Sequence, residues 1–202
     1  MIKLMSTLLL TLLLTACTAE NNGEEKKFNT EKKVEKLEEI KKEAPAKIES
    51  YAKDIFELTT VDGNKIHVDE AQNGITFQEH KDKVIFLLFF GYRCPPCLSE
   101  IPALKEMAKE KGDKLEIIAM EVQRLPEDQL KIFKESKKLN YTVLSNEHTG
   151  NSKFISYIAE RAQWSGAIPF LVGIKPNGEV GFVDVGGMGK AQLDHIFNQL
   201  SQ

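Results

Sequence analysis

Val84-Ile85-Phe86-Leu87-Leu88-Phe89-Phe90 is followed, after Gly91-Tyr92-Arg93, by Cys94-Pro95-Pro96-Cys97. Seven apolar residues without a break, rich in β-formers, predict a central strand buried on both faces. Beyond Pro95 the pattern changes. Ile101, Leu104 and Ala108 recur at helical spacing, and Gly112 predicts the stop. The two cysteines therefore fall where the strand ends and the helix begins. Their spacing at a helix start brings two sulfurs within disulfide range. The first sulfur faces the partial positive charge of the helix N-terminus, which lowers its pKa and raises its thiolate fraction. The second, one turn in, is placed to attack a mixed disulfide formed by the first. A zinc site needs four ligands, and His67, His80, His148 and His195 are scattered without pairing. A static disulfide closing so small a loop stabilises little. The pattern points to redox chemistry with neither metal nor cofactor.

Downstream, Leu115 to Val122 reads as a second strand, parallel to the first through a right-handed crossover. Leu130, Phe133 and Leu139 predict a helix opening near Pro126, and Phe154, Ile155, Ile158, Ala159 and Ala162 predict another. Phe170–Ile174 and Val180–Val183 flank Pro176-Asn177-Gly178, a turn signal, and so predict an antiparallel hairpin. Leu193, Ile196, Phe197 and Leu200 supply a last helix. The fold class is α/β, a mixed central sheet flanked by helices. Gly186-Gly187-Met188-Gly189 reads as a turn into that last helix, and Trp164 as packing beside the helix end before Ile168-Pro169.

Phe89-Phe90-Gly91-Tyr92-Arg93-Cys94-Pro95-Pro96-Cys97-Leu98-Ser99-Glu100-Ile101-Pro102, with Gly166-Ala167-Ile168-Pro169-Phe170, Asn177-Gly178-Glu179-Val180 and Gly186-Gly187, resembles the thioredoxin superfamily. Within it the chain is similar to the extracytoplasmic TlpA/ResA-type thiol-disulfide oxidoreductases. The resemblance implies a thioredoxin fold over residues 51–202. It also implies a strand before the buried one, supplied by Ile55-Phe56-Glu57-Leu58, and a helical insertion over Gln123 to Thr149. Cys94 becomes the nucleophile and Cys97 the resolving thiol of a redox-active disulfide. Pro169 matches the family's cis-proline, which leaves the Ile168 backbone free to pair with an extended substrate segment. Pro102 matches the helix-kinking proline. Glu100 matches a carboxylate that manages the protons of the cysteine pair; partly buried, it would have a raised pKa. The implied partners are disulfide-containing protein clients, apocytochrome c among them, and a membrane thiol reductase as electron donor.

Arg93 departs from the family, which usually has tryptophan before the first cysteine. A guanidinium there favours the Cys94 thiolate and acidic partners, giving Arg93 a substrate-binding role beside Ile168. Pro95 and Pro96 act the other way, because they remove two backbone N–H groups that would solvate the thiolate. The leading expectation is a reductase of extracytoplasmic disulfides, and the same chemistry reversed, an oxidase or isomerase of envelope disulfides, is the alternative. A copper chaperone on the same fold is the alternative from another class. Such chaperones space their cysteines by three residues and carry a histidine shortly before the hairpin; here His148 lies about twenty residues before Pro169.

The N-terminal quarter has a different character. Lys3, the apolar run Leu8 to Leu14, and Thr15-Ala16-Cys17 describe a secretory signal over residues 1–16. Leu14-Thr15-Ala16-Cys17 resembles a bacterial lipobox, implying lipid on Cys17, a membrane anchor, and an extracytoplasmic, periplasm-facing location. Residues 17–50 read as a charged tether: from Thr18 to Lys47 eight glutamates and eight lysines cancel. Such a stretch cannot bury enough apolar area to offset its ordering entropy. Val34, Leu37 and Ile40 predict at most a short helix that Pro45 terminates. Over all 202 residues the net charge is −3, and the basic residues interleave with acids rather than cluster. Nucleic acid is therefore not an expected partner.

Overall fold

The computed structural model describes residues 52–202, so the signal and tether expectations for 1–16 and 17–50, Cys17 included, lie outside the described residues. The first elements are β1 (Phe56–Thr59), β2 (Lys65–Ala71) and β3 (Gly74–Phe77), an antiparallel sheet of its own. Leu58, Ile66, Val68, Ile75 and Phe77 are buried on one of its faces. A strand is thus present over Phe56–Leu58, but its hydrogen-bonded neighbour is β2.

β4 (Val84–Phe90) is buried at all seven positions. Its side chains alternate between two cores. Val84, Phe86, Leu88 and Phe90 enter one; Ile85, Leu87 and Phe89 enter the other, together with the buried face of β1–β3. A strand with two apolar faces has no side left for polar residues, which is why the run is unbroken. Helix α1 (Pro95–Lys111) follows, then β5 (Leu115–Glu121), parallel to β4.

The segment read as a helical insertion contains one helix, α2 (Glu127–Lys137), and then a strand, β6 (Thr142–Leu144), parallel to β5. Leu139 lies beyond the helix and is buried. Helix α3 (Thr149–Arg161), the hairpin β7 (Phe170–Ile174) and β8 (Val180–Val185), and helix α4 (Lys190–Leu200) complete the domain. The central sheet has the order β6-β5-β4-β7-β8, with β7 antiparallel to β4. Leu104 and Met107 of α1 and Leu193 and Phe197 of α4 fill the first core; Phe154 and Ile158 of α3 fill the second. No helix among the described residues is long and apolar enough to cross a membrane.

This layering fixes the site. The C-terminal end of β4 and the N-terminal end of β7 are adjacent, Phe89 pairing with Phe170. The turn after β4 carries the cysteines, and the turn before β7 carries Ile168-Pro169.

Candidate active site

Cys94 is the N-cap of α1, with extended backbone (φ −92°, ψ 106°), and its amide donates to the Gly91 carbonyl at 3.1 Å. Pro95 and Pro96 occupy the first helical positions, where a missing N–H costs least. Only two amides of the first turn then remain to face the cap. Leu98 N donates to the Cys94 carbonyl at 3.0 Å, and Cys97 N donates to Cys94 Sγ at 3.3 Å. The Cys94 sulfur is thus the acceptor at the positive end of the helix, served by a single backbone donor. Cys94 and Cys97 are joined as a disulfide, with Cα atoms 5.2 Å apart. Cys94 keeps 6% exposure and Cys97 3%, so what access there is favours the first sulfur.

The Ile168–Pro169 peptide bond is cis. The Ile168 carbonyl oxygen lies 3.7 Å from Cys94 Sγ, and the Pro169 carbonyl accepts from Gly186 N at 2.8 Å. Among the described residues the Ile168 amide has no hydrogen-bond acceptor. Trp164 braces this turn: its Nε1–H donates to the Ala167 carbonyl at 2.7 Å, and its ring stacks on Phe170 at 5.1 Å between centroids. On the other side the Gly187 backbone comes so close to Pro96 that a Cβ would stand 3.1 Å from the Pro96 carbonyl oxygen.

Glu100, one turn after Cys97, is 2% exposed. Its Oε1 accepts from Met188 N at 3.1 Å, while Oε2 is buried without a partner. Burial pushes the carboxyl up to about 7, and the Met188 amide opposes that only in part. Tyr141, buried in the same core, has its phenol pushed up by burial and by the Glu100 charge. Arg93 is exposed at the rim with its guanidinium 4.8 Å from the centre of the Tyr92 ring, and its backbone N–H donates to Gln123 Oε1 at 3.0 Å. The structure therefore gathers Cys94, Cys97, Ile168 and Pro169 at one point, sets Glu100 in the core behind them and leaves Arg93 at the edge.

His148 stands at the N-cap position of α3 without a side-chain capping bond, its Nε2 2.5 Å from Glu127 Oε2, and His67 lies 2.6 Å from Glu79. Among the described residues no group of three or more His, Cys, Asp or Glu side chains is arranged to hold a metal ion. Two residues at the site were not singled out in the sequence, Glu121 and Gln123. The signal for Glu121 is a carboxylate closing the apolar run Ile117–Met120 of β5, all of it buried through Glu121.

A family model described as AhpC/TSA matches residues 48–183, well over half of the chain. The chain belongs to the AhpC/TSA family. The AhpC/TSA match takes in both cysteines, Glu100, Arg93 and the cis Ile168–Pro169 bond. A thioredoxin-like protein of Bacillus subtilis, YneN, is 28% identical over 101 residues. That alignment covers 49% of this chain and 54% of YneN, about half the length of the relative. Among solved structures, a thioredoxin family thiol:disulfide interchange protein from Chlorobium tepidum superposes with a TM-score of 0.58 at 24% identity. It covers 75% of this chain and 96% of its own. The pneumococcal exposed lipoprotein thioredoxin of Streptococcus pneumoniae gives a TM-score of 0.54 at 22% identity, covering 74% of this chain and all of its own. The fold is the thioredoxin fold.

Proposed function

We propose that this chain is a thiol-disulfide oxidoreductase that reduces disulfides of extracytoplasmic proteins through Cys94 and Cys97. The observation that carries the reading is the position of Cys94 Sγ, capping α1 beside the Ile168 carbonyl with Cys97 already bonded to it. In the reduced protein the Cys94 thiolate attacks one sulfur of a client disulfide. A mixed disulfide forms, and the other client sulfur leaves as a thiolate. The Cys97 thiolate then attacks Cys94 Sγ, closing the Cys94–Cys97 disulfide and releasing the second client thiol. Two electrons and two protons pass from protein to client. The free Ile168 amide and its carbonyl offer an extended client segment a short strand-like pairing edge beside Pro169. Glu100, with a carboxyl that titrates near neutrality, takes the proton of Cys97 as that thiol becomes a nucleophile.

The lipobox at Cys17 supports a lipid anchor and an extracytoplasmic location, where disulfides form and persist and a reductant has selected targets. Regeneration of the dithiol then needs a membrane thiol reductase. Cytochrome c precursors, whose haem-attachment cysteines must be reduced, are the favoured clients. Arg93 at the rim supports a preference for acidic segments next to the client cysteine.

Trapping tests the reading. Cys97→Ala should accumulate client proteins joined to Cys94 by disulfides, resolved on non-reducing gels and identified by mass spectrometry. Cys94→Ala should trap almost nothing. Equal trapping by both variants, or by neither, contradicts the assigned roles.

A further inference from the structure

Glu121 ends β5 and is fully buried, a carboxylate at the C-terminal edge of the central sheet. Its register partner is Phe90, the last residue of the strand that leads to the cysteines. Both of its oxygens are used by one loop: Oε1 accepts from Gln123 N and Oε2 from Leu125 N, each at 2.9 Å. Val122 N adds a bond to the Phe90 carbonyl at 2.9 Å. The loop after β5 is therefore clamped to the ends of both central strands. A charged acceptor bound by two amides in a buried setting makes a stiff clamp, since such bonds are the strong ones.

From that clamp the Gln123 side chain reaches back across the sheet edge. It lies over Gly91 so closely that any Cβ there would fall inside it. Its amide meets Arg93 N at 3.0 Å, and because that group is a donor the facing atom is the carbonyl oxygen. Gly91 and Arg93 are two of the three residues between β4 and Cys94, and the Gly91 carbonyl itself holds the Cys94 amide. An unbroken line of contacts thus runs from the Glu121 carboxylate through Gln123 to the turn that aims Cys94.

We infer that Gln123, held by the buried carboxylate of Glu121, is a positioning residue that keeps Cys94 in register with Cys97. The inference deepens the redox reading above and rests on it for its importance. With the turn fixed from outside, the reduced Cys94 stays where the disulfide will need it, and ring closure avoids the entropy of ordering a free turn. Two of the amides that would otherwise stabilise the turn are absent at Pro95 and Pro96, so the tether from Gln123 carries more of the task.

The test is the equilibrium of the Cys94–Cys97 pair with glutathione, measured on the full chain by alkylation and mass mapping. It needs no protein client, so it decides the matter even if the client reading fails. Gln123→Met keeps the length and removes the acceptor. It should lower the equilibrium constant for forming the Cys94–Cys97 disulfide about 3- to 10-fold, the size of one hydrogen bond. Gln123→Glu keeps an acceptor for Arg93 N and adds a charge that disfavours the Cys94 thiolate. It should hold that constant at or above the parent's. Gln123 is exposed, so both variants should stay folded, with Gln123→Met melting lower by a few degrees at most for the one hydrogen bond lost. An unchanged constant in Gln123→Met, or an equal fall in both variants, overturns the inference.

Discussion

Glu100 is the residue whose chemistry is easiest to isolate. Its carboxyl is raised by burial from an ordinary 4.5 to about 7, so the folded chain holds a proton there that the unfolded chain has released. The folded state gains relative stability from this group below about pH 4.5 and loses it as pH rises to about 7, by roughly 3 kcal/mol in all. Glu100→Gln should remove that slope and leave the protein more stable than the parent at pH 8. Urea denaturation between pH 4.5 and 8 measures it, and a parent curve that stays flat across the window would place the carboxyl in an ordinary environment. The family resemblance points to Glu100, which stands three residues after Cys97 on the same helical face. Its depth was not legible. Burial depends on Met188, 88 positions away in the chain, whose amide holds the carboxylate. Gln123 escapes for the same reason, since its partner Arg93 is 30 positions away. Glu121 bonds only to amides of the loop that follows it, a contact that no periodicity marks.

At the level of elements, legibility followed the strength of the hydrophobic pattern. β4 and α1 stand out because one is apolar throughout and the other has a clear stripe. β2 and β3 do not: Lys65-Ile66-His67-Val68-Asp69-Glu70 buries Ile66 and Val68 but also Asp69, and the polar and charged residues mask the period. β6 has three residues, too few for any period to show. What attaches the small sheet to the domain is also invisible locally. Asn151, at the start of α3 and fully buried, accepts from Thr59 N at 2.9 Å and donates to the carbonyls of Thr59 and Ser145 at 2.8 and 2.7 Å. It ties the end of β1 to the loop after β6. Asn151→Ala would strand those backbone groups away from water. A loss of about 2–3 kcal/mol is expected in equilibrium unfolding, the cost of leaving buried polar groups unpaired. A loss under about 0.5 kcal/mol, the range of an ordinary surface change, would show that water or another group replaces the side chain.

For the whole molecule the question is what a redox domain gains from its N-terminal sequence. If Cys17 carries lipid, the charge-balanced stretch behind it holds the cysteine pair near a membrane surface, where membrane-bound clients and donors meet it at raised effective concentration. Cys17→Ala should move the protein from the membrane fraction to the soluble fraction while its thiol chemistry in solution stays unchanged. Continued sedimentation with membranes would point to another anchor. Fully reduced protein, mixed with an equimolar disulfide-bonded haem-attachment peptide, should convert it to the dithiol, molecule for molecule. Intact and fragment masses should show the protein losing two hydrogens as Cys94 and Cys97 join, and Cys94→Ser should transfer nothing. Transfer that persists without Cys94, or a peptide that stays oxidised beside fully reduced protein, would contradict the account.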